Sequence, residues 1–140
     1  MIAVMEEGID QQPFETNGLF IDLFDYKLPV LTQKVVMPGE QAYLYNLKRV
    51  ADKKKPQVLA AAARVYDELI GEKTYSFVLK SPINTTNNMR VLLPAEPHTV
   101  NVSAPDGASL ETVQDWDKAS RTCFLSFENY PDGVKVELAW

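Results

Sequence analysis

The chain is poor in the residues that staple, ligate or activate. It holds one cysteine, Cys123, and one histidine, His98. A lone cysteine forms no internal disulfide, so packing has to hold the fold together. One His and one Cys do not make a zinc site, and no Asp-rich calcium loop is present. The sequence therefore implies no metal and no cofactor. Any Ser-His-Asp or Cys-His mechanism has to run through His98, no Gly-x-Ser-x-Gly motif supplies a nucleophile, and no Gly-rich loop cradles a phosphate.

Long apolar runs are equally scarce. The longest, Val58 to Ala63, falls far short of the roughly 20 residues that a membrane helix needs, so no membrane span is expected. Positive charge is in deficit: 14 Lys and Arg against 19 Asp and Glu leave a formal charge of −5, which disfavours nucleic acid and anionic membrane surfaces as partners. The N-terminus has no basic segment ahead of its apolar residues and meets two acids at Glu6 and Glu7, unlike a signal peptide. The chain is then either cytoplasmic or part of a longer exported protein. With six glycines and nine prolines in 140 residues, composition excludes a low-complexity chain, and the length suits one domain.

What is abundant is two-residue alternation. Residues 1–17 are acidic and Gln-rich without a sustained period, and are taken as a lead-in segment or linker; 18–140 are taken as a single domain. Leu19, Ile21 and Leu23 open a first strand. Gln33 to Met37, the Pro38-Gly39 turn and Ala42 to Lys48 carry the signature of a hairpin. The same period recurs at Tyr75, Phe77, Leu79; Met89, Val91, Leu93; Val100, Val102, Ala104; Cys123, Leu125, Phe127; and Val134, Val136, Leu138, Trp140. Pro105-Asp106-Gly107 and Pro131-Asp132-Gly133 punctuate these strands with turn chemistry. Short strands at this spacing, without amphipathic helices between them, predict an all-β fold, an antiparallel β-sandwich of immunoglobulin-like or related type.

Gln57 to Ile70 is the ambiguous stretch. Its alanine run and the Val58, Ala62, Val65, Leu69 spacing suit a helix. Its charges do not: Lys53 to Lys55 precede it and Asp67 and Glu68 close it, opposite to the helix dipole. A central strand covered on both faces, with Arg64 to Asp67 running out to solvent, is the preferred reading.

Three acid pairs qualify on spacing for two-carboxylate chemistry: Asp22 and Asp25, Asp67 and Glu68, and Asp115 and Asp117. Asp115-Trp116-Asp117 is the most suggestive, since acids two apart on a strand share a face and tryptophan stacks on sugar rings. The plainer reading makes Asp117 to Ser120 a turn between two strands with Trp116 packed at its base. Tyr43, Tyr45, Tyr66, Tyr75, Trp116 and Trp140 offer a binding platform, although most aromatics are needed in the core. Trp116, Asp115 and Asp117 are thus the candidate glycan contacts, and no catalytic residue is assigned.

The stretch Val58-Leu-Ala-Ala-Ala-Ala-Arg-Val65, then Tyr75-Ser-Phe77, Lys80-Ser-Pro-Ile-Asn-Thr-Thr86, Met89-Arg-Val-Leu-Leu-Pro94 and the closing Val134 to Trp140 strand resembles the C-terminal β-sandwich of large Bacteroides-type glycoside-hydrolase-like proteins. The resemblance spans Pro56 through Trp140. It implies a non-catalytic accessory module of a polysaccharide-processing protein, packed beside a catalytic domain of a parent polypeptide or a protein partner and in contact with polysaccharide, carried to the periplasm or outside the cell by that parent. It transfers no functional residue. The alternative is a free-standing immunoglobulin-like interaction or adhesion domain binding through an edge strand or loops. An enzyme acting through Asp115 and Asp117, or through His98, is the third reading.

Overall fold

The computed structural model describes residues 3–7, 14–23, 25–36, 41–47 and 55–140. They contain β-strands and no α-helix. The chain divides into two compact units, Met1–Asp52 and Lys53–Trp140.

The first unit holds one four-stranded sheet built from β1 (Ala3–Glu7), β2 (Phe14–Asp22), β3 (Val30–Val36) and β4 (Gln41–Asn46), in the order β1-β4-β2-β3. The boundary that composition places after Asn17 falls inside β2. Gln33 to Met37 and Ala42 to Lys48 overlap β3 and β4, yet these two strands do not form the expected hairpin. Each pairs antiparallel with β2, on opposite edges. A turn dipeptide marks where a strand breaks, but leaves open which edge the next strand takes; Pro38-Gly39 itself lies outside the described residues. Phe20, Ile21, Leu28, Tyr45 and Leu47 are buried.

The second unit is an antiparallel β-sandwich. One sheet has the order β10-β11-β8-β5, from β10 (Val113–Asp117), β11 (Thr122–Glu128), β8 (Thr86–Leu92) and β5 (Gln57–Ala61). The other runs β6-β7-β12-β9, from β6 (Arg64–Ile70), β7 (Thr74–Lys80), β12 (Val134–Ala139) and β9 (Thr99–Ser103). The alternating residues do what their period requires. Tyr75, Phe77 and Leu79 of β7 and Val134, Val136 and Leu138 of β12 meet Met89 and Val91 of β8 and Cys123, Leu125 and Phe127 of β11 in one core. Each large apolar side chain contributes about 1.5–3 kcal/mol on burial.

The alanine-rich stretch is strand, as its charges argue, with one correction. It is two edge strands rather than one central strand, because the chain leaves the first sheet after Ala61 and joins the second at Arg64. Ala62 and Ala63 form the corner, where small side chains let the backbone turn sharply. The Ala62 amide donates to Asn87 Oδ1 at 2.9 Å, and Ser81 Oγ donates to the Ala62 carbonyl at 3.3 Å. The Lys80 to Thr86 motif builds the neighbouring loop: Thr85 Oγ1 donates to the Pro82 carbonyl at 2.5 Å and accepts from Asn129 Nδ2 at 3.1 Å. Both Pro-Asp-Gly sites are turns in which the glycine amide returns to the carbonyl three residues earlier, with φ of 89° at Gly107 and 113° at Gly133. These values favour glycine.

Candidate functional site

β10 is an edge strand, and its register with β11 fixes where the three candidate glycan contacts point. Asp115 lies opposite Phe124, Trp116 opposite Cys123 and Asp117 opposite Thr122. Cross-strand partners share a face, and successive residues alternate. Trp116 therefore lies on the Cys123 side, half-buried against the core. Asp115 and Asp117 share the opposite face.

On that outer face Asp117 belongs to a hydrogen-bonded chain that the sequence did not announce. Arg90 Nη1 donates to Thr122 Oγ1 at 3.1 Å, while the Ser120 and Thr122 hydroxyls lie 2.6 Å apart. Ser120 Oγ and the Ser120 amide both donate to Asp117 Oδ2, at 2.5 and 3.0 Å. Since Thr122 Oγ1 accepts from the guanidinium and Ser120 Oγ donates to the carboxylate, Thr122 donates to Ser120. Every hydroxyl then gives one bond and takes one, in a single direction from cation to anion, an arrangement that strengthens each link. The Arg90 guanidinium also lies 5.6 Å from the centre of the Phe124 ring. Burial lowers its pKa, and Asp117 and then Asp115 oppose that shift. Asp117 is thus the clamp of the 118–121 turn, as the plainer reading of its sequence has it. The sequence clue to this relay was Arg90, a cation set in the apolar run of β8 at an outward position.

On the Trp116 side, Glu96, Pro97, Gln114, Asp115, Trp116 and Cys123 line a concavity of about 190 Å³. A second, of about 230 Å³, lies along β9 and is bordered by Asn101, Ser109, Thr112 and again Gln114. Both occupy the side of the sandwich where β9 and β10 are the sheet edges.

The remaining candidates scatter. The Cys123 thiol is buried, donates weakly to the Phe124 carbonyl at 3.7 Å, and is pushed up to about 11, chiefly by burial, so it stays protonated at neutral pH. His98 is exposed at the start of β9; its amide donates to the Ala139 carbonyl at 2.9 Å and its Nδ1 lies 3.1 Å from Thr99 Oγ1. Asp25 Oδ1 accepts from the Lys27 amide in a turn after β2. Asp67 sits at positive φ in the irregular part of β6, and Glu68 accepts from the Tyr75 hydroxyl. Tyr45 and Tyr75 are buried and Trp140 packs against the core, while Tyr66 is exposed under Lys80. The Tyr43 side chain lies outside the described residues. Among the described residues no group of three or more His, Cys, Asp or Glu side chains is placed to hold a metal ion, and no helix is long and apolar enough to cross a membrane.

Comparison of the chain with family models, with curated proteins and with solved structures finds no match.

Proposed function

We propose that this chain is a non-catalytic β-sandwich module of a polysaccharide-processing, glycoside-hydrolase-like protein, packing beside a catalytic domain and touching glycan at the concavity beside Trp116. The parent protein would carry it to the periplasm or the cell exterior. The observation that carries the proposal is the concavity itself. A half-buried indole is flanked by the Glu96 carboxylate and the Gln114 amide, a combination that offers a sugar an apolar ring face and acceptors for its hydroxyls. Its volume is below the roughly 300–1,000 Å³ of a pocket that engulfs a small molecule, which suits a surface contact on a chain. The assignment of no catalytic role is supported by Asp117, whose Oδ2 is taken up by two bonds from Ser120.

A second reading, the free-standing interaction domain, draws on β6. This edge strand leaves Leu69 70% and Ile70 49% exposed, apolar side chains at a sheet edge that another protein could cover. A glycan array separates the two. The full chain should retain polysaccharide and Trp116→Ala should lose at least about tenfold in affinity; silence on every glycan would favour the β6 reading.

A further inference from the structure

Resting on the glycan reading, we infer that the ligand is a neutral polysaccharide held over two adjacent positions along the β9/β10 side, with Gln114 shared between them. The two concavities are successive stations of one path. Glu96 and Pro97, just ahead of β9, border the first, and Asn101 and Val102 of β9 border the second. On the other wall the order reverses: Trp116 and Asp115 of β10 border the first, and Thr112 and Leu110, in the loop that leads into β10, the second. The two walls thus run antiparallel past each other, and Gln114, exposed at the middle, lines both. From Thr112 to Trp116 an extended backbone spans about 13 Å, more than one sugar ring.

The lining decides the chemistry. The first position offers the Trp116 indole, the Gln114 amide and the Glu96 carboxylate; the second is lined by Asn101, Ser109 and Thr112. Among the described residues neither is lined by lysine, arginine or histidine. Glu96 at one end repels an anion, while amides and hydroxyls match the donors and acceptors of uncharged sugar rings. An added peptide strand is disfavoured, because the chain after β9 already folds back on it: the Leu110 amide donates to the Val102 carbonyl at 2.8 Å, and Ser103 forms a bridge with Ser109.

The test is calorimetric titration of the full chain with glucose-, mannose-, xylose- and galactose-based oligomers of one to six units, with galacturonic-acid oligomers of the same lengths alongside. The expected result is an affinity for one neutral series that rises at least about tenfold between short and long members, with the uronic-acid series silent. Asn101→Ala combined with Thr112→Ala should abolish that rise while leaving the short oligomers bound. Trp116→Ala should weaken all lengths. Binding that Trp116→Ala abolishes but that shows no length dependence, or uronic-acid oligomers binding as tightly as neutral ones, would overturn the inference alone. Absence of binding to every oligomer would overturn the glycan reading with it, and binding of extended peptides blocked by the Asn101 and Thr112 changes would replace glycan with a strand partner.

Discussion

The two long sides of the β5 to β12 sandwich are bridged in opposite ways. On one, β5 passes into β6 through Ala62 and Ala63 alone, and side chains from neighbouring elements bind the corner's backbone: Asn87 takes its amide and Ser81 its carbonyl. On the other, residues 104–112 intervene between β9 and β10, the glycine turn at Gly107 opens the loop, and two polar concavities lie beside it. The first side turns its polar groups onto its own backbone. On the second, Thr112 Oγ1 donates to the Leu110 carbonyl at 3.1 Å, but Asn101, Ser109 and Gln114 are exposed, which is why it is the side proposed to bind.

The comparison is calibrated by the two Pro-Asp-Gly turns, where the largest effect is expected. A Cβ at Gly133 would lie 2.8 Å from Val78 Cγ1 at a φ of 113°, whereas one at Gly107 meets nothing within 4 Å. Gly133→Ala should cost about 2–5 kcal/mol, strain plus steric conflict, against about 1–2 kcal/mol for Gly107→Ala, from strain alone. Urea unfolding of both variants checks this; equal losses would mean that the open-side loop is as tightly packed as the β11 to β12 turn.

Beneath the open side, Cys123 should show in alkali. Its thiol is held up to about 11 from an ordinary value of 9.0. Below pH 9 the proton stays on in both the folded and unfolded states, so this contribution is fully present; between pH 9 and 11 the unfolded chain releases the proton first and stability falls. Wild type should lose about 2–3 kcal/mol more than Cys123→Ala over that window, measured by denaturant unfolding at each pH. Parallel losses in the two proteins would contradict burial of the thiol.

On the sealed side, Asn87→Ala orphans the Ala62 amide and should cost about 1–3 kcal/mol, leaving any ligand binding unchanged. A change under about 0.5 kcal/mol would mean that the corner does not depend on that bond.

The difference between the sides was only partly written in the sequence. The core strands were plain, because Tyr75, Phe77, Leu79 and Val134, Val136, Leu138 repeat with the period of the pleat. So was the Asp117 to Ser120 turn, whose chemistry is local. Gln57 to Ile70 could be judged as strand from its charges, yet its division into two edge strands depends on contacts of Ala62 with Asn87 and Ser81, distant in sequence. The β3 and β4 expectation failed for the same reason, since β2 rather than the intervening turn decides their pairing. In the Asp115-Trp116-Asp117 triplet, alternation sets the indole on the opposite face from the acids. Gln114, which joins the two concavities, carried no signal of its own; its place follows from β9 and β10 both being sheet edges.

The most direct measurement is an amide-resolved NMR titration of the full chain with a neutral oligosaccharide of six units chosen from the calorimetric series. The account predicts shifts concentrated at 96–102 and 109–116, with the amides of 57–70 unmoved. Shifts centred on Tyr66 to Ile70, or none on β9 and β10, would contradict it.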